Sequence, residues 1–504
     1  AQCLVGSEMC IRDRYYKIQD FSFTNIDKFS TSSIVTRLTT DVSYVQMAFQ
    51  MLTRIVVRTP LMLIFSLIMS FSINAKLALI FLALMPVIGI TLYVIMSKAH
   101  PIFERVFKKY DVLNNVVEEN TNGIRVVKSY LLEESEKKKF GNISNEIYVD
   151  FSKAQRLMSL TNPVMQFSMY LAIILISWFG AKIIVTTNMV DLEVGQLTSL
   201  ITYGIRLLSS LMMLAMLLVM STMARNSAER IYEILIEKPD LANPKKPIKE
   251  VKNGSIEFKN VSFRYPDADA EILTDINFTA EPGKTTAIIG STGSGKSTIV
   301  NLIPRFYDVT GGELLIDGVN IKDVPQHELR KRIGFVPQKG LLFSGTIESN
   351  IKYGNPKMSD KQMKEAAEIA QATEFIEAKP EKYKSEIAQG GTNVSGGQKQ
   401  RLSIARAIAI DPEIFVFDDS FSALDLKTDS KLRAALAEKT KNKTVIIVAQ
   451  RVSTILNADQ IVVLEEGKIV GIGKHQELMK NCDTYSQIAL SQLSKEELDN
   501  AKAK

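Results

Sequence analysis

Histidine, cysteine and tryptophan are scarce in this chain of 504 residues, which has three histidines, three cysteines and one tryptophan. The cysteines do not show the spacing of metal ligands, so a zinc site is not indicated and a reduced compartment is the simplest interpretation. The three histidines are His100, His327 and His475, so the long stretch between the last two has none. A net charge of +6 is too small at this length to indicate nucleic acid, and we expect no such partner.

Charged residues are missing from four long stretches in the first half of the chain. We predict membrane spans at residues 59–75, 77–97, 157–181 and 197–224, because the uncharged apolar runs in them, the fourth being residues 207–224, have about 17 to 25 residues, the length that crosses a bilayer. One such run also fits a buried helix of a soluble protein, but four together indicate a membrane protein. Arg206 lies inside the fourth predicted span, directly before its uncharged run. The sequence leaves two interpretations of it open, a functional site and a side chain that reaches the membrane interface.

Basic residues predict the orientation of these spans. The segment between the second and third spans is rich in lysine and arginine, whereas residues 186–196 have no basic residue and carry Asp191 and Glu193. Basic loops stay in the cytoplasm, so we predict a multi-pass protein of the cell membrane with both chain ends inside. Residues 98–159 then form two cytoplasmic helical extensions about 40 Å long, with a turn near Asn120–Gly123.

The remaining segments predict the domain boundaries. Residues 1–14 have no apolar run and no periodicity, and we interpret them as a head of separate origin before a membrane domain at residues 15–224. Residues 225–254 are polar and contain three prolines, which predicts a linker. Short β-rich runs alternate with helices over residues 255–495, which predicts an α/β domain before a short tail, residues 496–504.

The most specific motif of the second half is a phosphate loop between a β-rich run and a helical run. It matches the pattern G-x-x-x-x-G-K-[ST] and consists of Gly290, Ser291, Thr292, Gly293, Ser294, Gly295, Lys296 and Ser297, with Thr298 following in the helix. The glycines let backbone N–H groups turn toward phosphate oxygens, and the start of the helix adds partial positive charge. We expect Lys296 to reach the β- and γ-phosphates of ATP and the Ser297 hydroxyl to bind Mg²⁺.

Two further motifs supply carboxylates and a second phosphate-binding surface. The apolar run Ile414–Phe417 ends in Asp418, which we expect to hold Mg²⁺, and Asp419 stands where a general base or water-positioning residue belongs. Ser395, Gly396, Gly397 and Gln398 precede a basic helix, where Ser395 is a good N-cap. One nucleotide does not need both surfaces from one chain, but two chains arranged head to tail use both.

Together these motifs resemble those of ATP-binding cassette (ABC) exporters, and the chain looks like a multidrug- or lipid-type half-transporter over about residues 16–493. The resemblance implies an α-helical transmembrane domain of the type I exporter fold, with four of six helices visible, joined to an α/β P-loop NTPase domain. It implies ATP and Mg²⁺ as cofactors, a second half-transporter as partner, membrane lipid around the spans, and a hydrophobic or amphipathic substrate that the sequence does not identify.

The resemblance also assigns roles outside the phosphate loop. Tyr265 matches the aromatic residue that stacks on adenine, Gln338 matches a glutamine that contacts Mg²⁺ near the reaction, and Asp425 ends the segment called the D-loop. Segments 32–40 and 115–123 resemble the coupling helices that dock on nucleotide domains. The missing first two membrane helices indicate a sequence that lacks its N-terminal part.

Two positions depart from the family pattern. Asp419 replaces the catalytic glutamate, and Gln450 replaces the switch histidine in the segment Ala449–Thr454. Aspartate is shorter by one methylene, and a misplacement of about 1 Å costs on the order of 10²-fold in rate. Glutamine shuttles no proton. We therefore predict a degenerate site that binds MgATP and hydrolyses it weakly, in one half of a heterodimer whose partner uses the intact signature Ser395–Gln398.

Two other hypotheses stay open at this stage. A homodimeric exporter with slow, aspartate-supported hydrolysis fits the same motifs. A non-transporting ABC ATPase also carries a signature motif, although the four apolar runs oppose it.

Overall fold

The computed structural model describes residues 12–29, 31–244, 247–248, 253–266 and 268–493, which divide into two compact units. We call residues 32–236 together with 12–18 the helical unit, and residues 19–31 together with the described part of 237–504 the α/β unit. Most of the predicted head, and all of the predicted tail, lie outside the described residues.

Long helices joined by short turns make up the first half of the chain. They are α1 (Phe23–Phe29), α2 (Thr31–Leu38), α3 (Thr40–Met51), a π-helical turn (Leu52–Val56), α4 (Val57–Ile73), α5 (Ala75–Asn122), α6 (Ile124–Ser129), α7 (Glu133–Ser159), α8 (Thr161–Thr186) and α9 (Val194–Ile236).

Four helical stretches within the described residues are long and apolar enough to cross a membrane, as the sequence predicts. They are Ser33–Ile73, Ala75–Asn122, Glu133–Thr186 and Val194–Leu214. The first three are longer than their predicted spans, because helical structure continues into polar sequence where hydropathy alone ends a span, and the fourth begins three residues before its predicted start. Helix α9, for example, runs to Ile236, well into the segment predicted as linker.

The turns between these helices follow from local sequence. Asn74 accepts hydrogen bonds from the backbone N–H groups of Lys76 and Leu77, at 3.1 and 3.2 Å, and so caps α5 directly after α4. At 48 residues, α5 is about 70 Å long. It ends next to Gly123, as predicted for the far turn. Asp150 on α7 accepts a hydrogen bond at 3.0 Å from Lys109 on α5, which joins the two cytoplasmic extensions.

The α/β unit contains twelve strands among its described residues, and these form three sheets. The strands are β1 (Ile256–Phe263), β2 (Leu273–Ala280), β3 (Thr285–Gly290), β4 (Gly311–Ile316), β5 (Val319–Asn320), β6 (Ile333–Val336), β7 (Gly345–Thr346), β8 (Glu386–Ile387), β9 (Ile414–Asp418), β10 (Thr444–Val448), β11 (Gln460–Glu465) and β12 (Lys468–Gly473).

The helices of this unit pack around the largest sheet. In chain order they are α10 (Lys296–Leu302), α11 (Gln326–Lys331), α12 (Ile347–Ile351), α13 (Asp360–Ile369), α14 (Thr373–Glu377), α15 (Gly396–Ala409), α16 (Leu426–Lys439), α17 (Val452–Ile455), α18 (His475–Asn481) and α19 (Asp483–Gln492). Short 3₁₀ turns occupy Ile321–Asp323, Lys352–Gly354, Lys382–Lys384 and Gln389–Gly391.

The six-stranded sheet has the order β12-β11-β3-β10-β9-β6, and its pairs are parallel except β11 with β12. Alternate residues of β3 face different cores, with Ala287 and Ile289 in one and Ile288 in the other. Val448 of β10 pairs with Ile288 on one side and with Asp418 on the other. The carboxyl ends of β3, β10 and β9 therefore meet at one edge of the sheet, which is where ligands bind in such folds.

Helix α1 packs within the α/β unit. The Phe23 and Phe306 rings lie 4.4 Å apart, and the Tyr307 hydroxyl donates a 2.8 Å hydrogen bond to Asp27. The sequence prediction put a docking segment at residues 32–40, and the structure corrects it to α1, one helix earlier. Residues 32–40 belong to the helical unit, where Arg37 pairs with Glu233 at 2.8 Å. The aromatic residues of α1 supply the apolar contact that the serine- and threonine-rich segment lacks.

Candidate functional site

The phosphate loop connects β3 to α10 in a conformation that requires glycine. Gly293 and Gly295 have φ angles of 85° and 95°, in the left-handed region. A Cβ atom on Gly295 would lie 2.6 Å from a methyl carbon of Leu273, and one on Gly290 would lie 2.1 Å from the carbonyl oxygen of Leu464. The backbone of the loop therefore lies close to β2 and β11 of the same chain, and the N-terminus of α10 is left accessible to a ligand.

Lys296, the first residue of α10, is buried and is held by the loop itself. Its Nζ donates to the carbonyl oxygens of Gly290 at 2.9 Å and Ser291 at 2.6 Å. Burial lowers the pKa of Lys296, and the nearby Asp419 and Asp418 partly offset that effect. The ammonium group is thus positioned inside the loop, where it would meet the phosphates of a nucleotide.

Asp418 lies beside the phosphate loop at the end of β9. Its Oδ1 accepts a 3.0 Å hydrogen bond from the Ser297 hydroxyl, and burial raises the pKa of Asp418. The Ser294 hydroxyl is buried and has no hydrogen-bond partner among the described residues. No group of three or more His, Cys, Asp or Glu side chains that could hold a metal ion occurs in the described part of the chain. A hydroxyl and a single carboxylate fit Mg²⁺, which needs few protein ligands and oxygen donors.

Tyr265 lies next to α10, the helix that follows the phosphate loop. Its hydroxyl is 3.4 Å from the hydroxyl of Thr298 on α10, and its ring meets those of Phe263 and Tyr307 edge to face, with centroids 4.9 and 5.1 Å away. These contacts fix an aromatic ring next to the phosphate loop. Stacking on adenine stays a prediction for this residue.

Comparison with known proteins agrees with this geometry. The family described as ABC transporter transmembrane region matches residues 3–222, and the family described as ABC transporter matches residues 273–422. An uncharacterized ABC transporter ATP-binding protein of Bacillus subtilis (strain 168), YfiB, is 39% identical over 482 residues, which cover 96% of this chain and 83% of that protein. The chain belongs to the ABC transporter family.

Two more relatives narrow the class to exporters. A putative multidrug export ATP-binding/permease protein of Staphylococcus aureus (strain NCTC 8325 / PS 47) is 37% identical over 428 residues, which cover 84% of this chain and 73% of that protein. The solved structure of a bacterial Atm1-family ABC exporter with ATP bound has a TM-score of 0.83 and 26% identity, covering 98% of this chain and 86% of that one. The protein is a membrane ABC exporter with a cytoplasmic nucleotide-binding domain, and a non-transporting ATPase is excluded.

The signature of this ABC exporter starts helix α15. The Ser395 side chain accepts a hydrogen bond from the backbone N–H of Gln398, while the Gln398 side chain accepts one from the backbone N–H of Ser395. Within the described residues, no hydrogen bond is made by the backbone N–H of Gly396 or Gly397, and none joins the signature to the phosphate loop. The structure thus does not bring the two phosphate-binding surfaces of one chain into contact.

The residue at the catalytic position, Asp419, is enclosed by amide donors. Its Oδ2 accepts a hydrogen bond from Gln450 Nε2 at 2.9 Å and a longer one from Gln338 Nε2 at 3.5 Å. Burial raises the pKa of Asp419, although hydrogen bonds from the Ser422 side chain, the Gln338 side chain and the Gln450 backbone act in the opposite direction. The backbone of Asp419 has a φ of 46°, a strained conformation that aspartate tolerates better than most residues. The three predicted residues are thus brought together around one carboxylate.

Asp425 has a structural partner in this chain. It is the N-cap of α16, where its side chain accepts a 2.9 Å hydrogen bond from the backbone N–H of Thr428, and these backbone donors lower the pKa of Asp425. Its neighbour Ala423 lies next to the signature, because a Cβ on Gly397 would be 3.3 Å from the Ala423 carbonyl oxygen. A nucleotide contact by Asp425 stays a prediction.

Sequence reasoning missed Gln492, at the end of α19. Its Nε2 donates to the Gln450 carbonyl at 2.9 Å and its Oε1 accepts from the backbone N–H of Val452 at 2.8 Å. Val452 is the first residue of α17, so this N–H has no partner within its own helix. We call Ala449–Thr454, which contains Gln450, the switch segment. Gln492 therefore holds the switch segment by hydrogen bonds on both sides of Arg451. No sequence signal pointed to it, because the two residues are far apart in the chain and Gln492 belongs to no motif.

Proposed function

We propose that this chain is one half of a heterodimeric ABC exporter for a hydrophobic or amphipathic substrate, and that its own nucleotide site is degenerate. ATP and Mg²⁺ bind the phosphate loop through Lys296, Ser297 and Asp418, with Gln338 as a further Mg²⁺ contact. Closure of the two nucleotide domains on ATP drives the membrane helices, and hydrolysis takes place mainly in the site that the partner's phosphate loop forms with Ser395–Gln398.

The 2.9 Å hydrogen bond from Gln450 to Asp419 carries this proposal. A general base needs a free lone pair directed at the attacking water, with a separation of about 2.6 to 3.2 Å. Here one carboxylate oxygen is occupied by an amide, and the side chain is shorter than glutamate. The amide does not titrate near neutral pH, so it cannot shuttle a proton, and it carries no charge that would stabilise a γ-phosphate. Mg²⁺, when bound, would neutralise phosphate charge, but it would not replace the missing base.

The signature supports the second part of the proposal. Its capping box is complete, and the N–H groups of Gly396 and Gly397 keep their hydrogen-bonding capacity at the positive end of a 14-residue helix. These are the features that a phosphate group from another chain requires. On this proposal, the chain combines a nucleotide site of weak hydrolytic activity with an intact signature that completes the nucleotide site of its partner.

The test is the double substitution Asp419→Glu with Gln450→His in the full chain co-purified with its partner. We expect hydrolysis of the ATP held by this chain to rise on the order of 10²-fold, because the carboxylate regains its reach and a proton-carrying partner. A matched control makes the same chemical changes at two exposed positions of α19, Asp483→Glu with Gln487→His, and leaves turnover unchanged.

Two results would contradict the proposal. The first is robust turnover and transport by the unmodified chain alone, which is the behaviour of a homodimeric exporter. The second is a double variant that binds ATP normally and still hydrolyses it no faster than the unmodified chain.

A further inference from the structure

One face of α9 packs against its own chain, and the opposite face does not. Over Val194–Leu214, which is long and apolar enough to span a membrane, Leu200, Gly204, Leu207 and Leu208 are buried. A Cβ on Gly204 would lie 2.5 Å from the Phe81 ring, which shows how closely this face meets α5.

The opposite face carries a polar stripe. At about 100° per residue, the exposed residues Thr198, Thr202, Arg206 and Ser209 fall within an arc of about 80° on the far side from the packed face. The three hydroxyls donate to carbonyl oxygens of their own helix at 2.8 to 3.0 Å. Arg206 makes no hydrogen bond or ion pair with any described residue. Its guanidinium therefore keeps its donors available with respect to the described residues.

The depth of Arg206 argues against a side chain that merely reaches the interface. It lies twelve residues, or about 18 Å, after Val194, where α9 begins, and uncharged apolar sequence follows it to Ala224. A cation at that depth is costly when it faces lipid, and such residues face a bundle interior or a water-filled cavity. The polar stripe around Arg206 agrees with a cavity wall.

No acidic residue lies in the apolar parts of these helices. Residues 57–97, 161–186 and 194–214 contain no aspartate or glutamate. A second copy of these apolar parts would supply no anion either. Guanidinium groups pair preferentially with carboxylates and phosphates, often through two parallel hydrogen bonds.

We propose that Arg206 and its polar stripe form the part of the transport cavity that binds the anionic group of an amphipathic substrate. The substrate class is thus an amphipathic anion, whose carboxylate or phosphate meets Arg206 while its apolar part lies along neighbouring apolar side chains. This inference about Arg206 rests on the proposed export function, and it adds that the exporter selects its substrates by charge.

The test measures binding of two matched probes to the full chain co-purified with its partner, in detergent and without nucleotide. The probes are 11-(dansylamino)undecanoic acid, an amphipathic anion, and its uncharged methyl ester. We expect Arg206→Gln to raise the Kd of the acid about tenfold to a hundredfold, the range for losing a hydrogen bond to a charged group. Arg206→Lys keeps most of the binding. The ester binds all variants within about threefold, and Lys182→Gln, which removes an exposed cation near the end of α8, changes neither probe.

Several results would overturn the inference. They are failure of the acid to bind the unmodified protein, equal loss of acid and ester in Arg206→Gln, or loss of partner association in Arg206→Gln. The last would show that an acidic residue of the partner, rather than a substrate, balances the charge. Because the assay contains no nucleotide, acid-selective binding without ATP-dependent transport would reject the proposed function and keep this inference, and normal transport without acid selectivity would do the reverse.

Discussion

Two helices of the chain have N-termini suited to bind phosphate, at the starts of α10 and α15. They differ in their burial and in the side chains that lie beside them. At α10 the phosphate loop is folded into the sheet edge, its lysine is buried, and Asp418 and Asp419 lie beside it. At α15 the signature is exposed at Ser395 and Gly396, and its hydrogen bonds close only on its own first turn. The first start combines backbone donors with an ammonium group and carboxylates, and the second has only donors.

We propose that this difference separates binding from hydrolysis within one chain. A helix start that lacks carboxylates cannot organise Mg²⁺, so on this proposal the signature acts on a nucleotide held elsewhere. The phosphate loop would hold a nucleotide beside a shorter carboxylate, Asp419, whose Oδ2 accepts a hydrogen bond from Gln450. We therefore expect the two starts to serve different nucleotides and to be disabled separately.

The largest expected effect comes from disabling the two starts one at a time in the assembled exporter. Lys296→Ala removes the buried ammonium, so we expect loss of nucleotide labelling on this chain. Ser395→Ala removes the cap of α15, which costs about 1 kcal/mol of helix stability, and we expect labelling of this chain to persist while total ATP turnover falls severalfold. Photoaffinity labelling and phosphate release measure the two quantities. Equal loss of both quantities in both variants would remove the distinction between the two starts.

A smaller effect is expected at the switch segment. Gln492→Met keeps the size of the side chain but loses both hydrogen bonds to the switch segment, and each is worth about 0.5 to 1.5 kcal/mol. We expect faster hydrogen exchange in the peptide that contains Gln450 and Val452, with no change in the phosphate loop. Gln487→Met, at an exposed position of the same helix, serves as the control. Exchange that is the same in both variants would show that Gln492 does not hold the switch segment.

The smallest effect concerns pH. His475 is buried, its Nδ1 lies 2.8 Å from the Tyr485 hydroxyl, and burial lowers the pKa of His475. The unfolded chain therefore binds a proton more readily, so stability is complete above about pH 6.5, the ordinary histidine value, and falls as the pH drops below it. We expect the α/β unit to resist proteolysis less at pH 5.5 than at pH 7.5. His475→Gln should flatten that dependence, and an unchanged pH dependence would exclude this histidine as its source.

Sequence patterns predicted the elements whose chemistry is local. The phosphate loop, the strand ending at Asp418 and the four spans depend on short motifs or on composition. The loop and the strand have the predicted structure, and the four spans are helical with different ends. Asp419 and Gln450 were recognised by comparison with a motif, but their direct hydrogen bond was not predicted, because they follow the ends of two different strands, β9 and β10.

Features that depend on distant contacts were missed or displaced. Gln492 reaches the switch segment from the last helix, and no periodicity predicts such a contact. Helix α1 packs on Phe306 and Tyr307 through aromatic rings, whereas the sequence placed the docking segment in a nearby serine- and threonine-rich stretch. The continuation of α9 to Ile236 was also missed, because a prediction from hydropathy alone assigned its polar residues to a linker.

The most direct test of the account identifies the nucleotide held by this chain after many turnovers. The assembled exporter is incubated with 8-azido-ATP carrying its radioactive label at either the α- or the γ-phosphate, then crosslinked, and the two chains are separated. We predict that this chain retains both labels, because its ATP stays intact, while the partner retains only the α label. Loss of the γ label from this chain at the same rate as from the partner would show that Asp419 and Gln450 support hydrolysis, and would contradict the account.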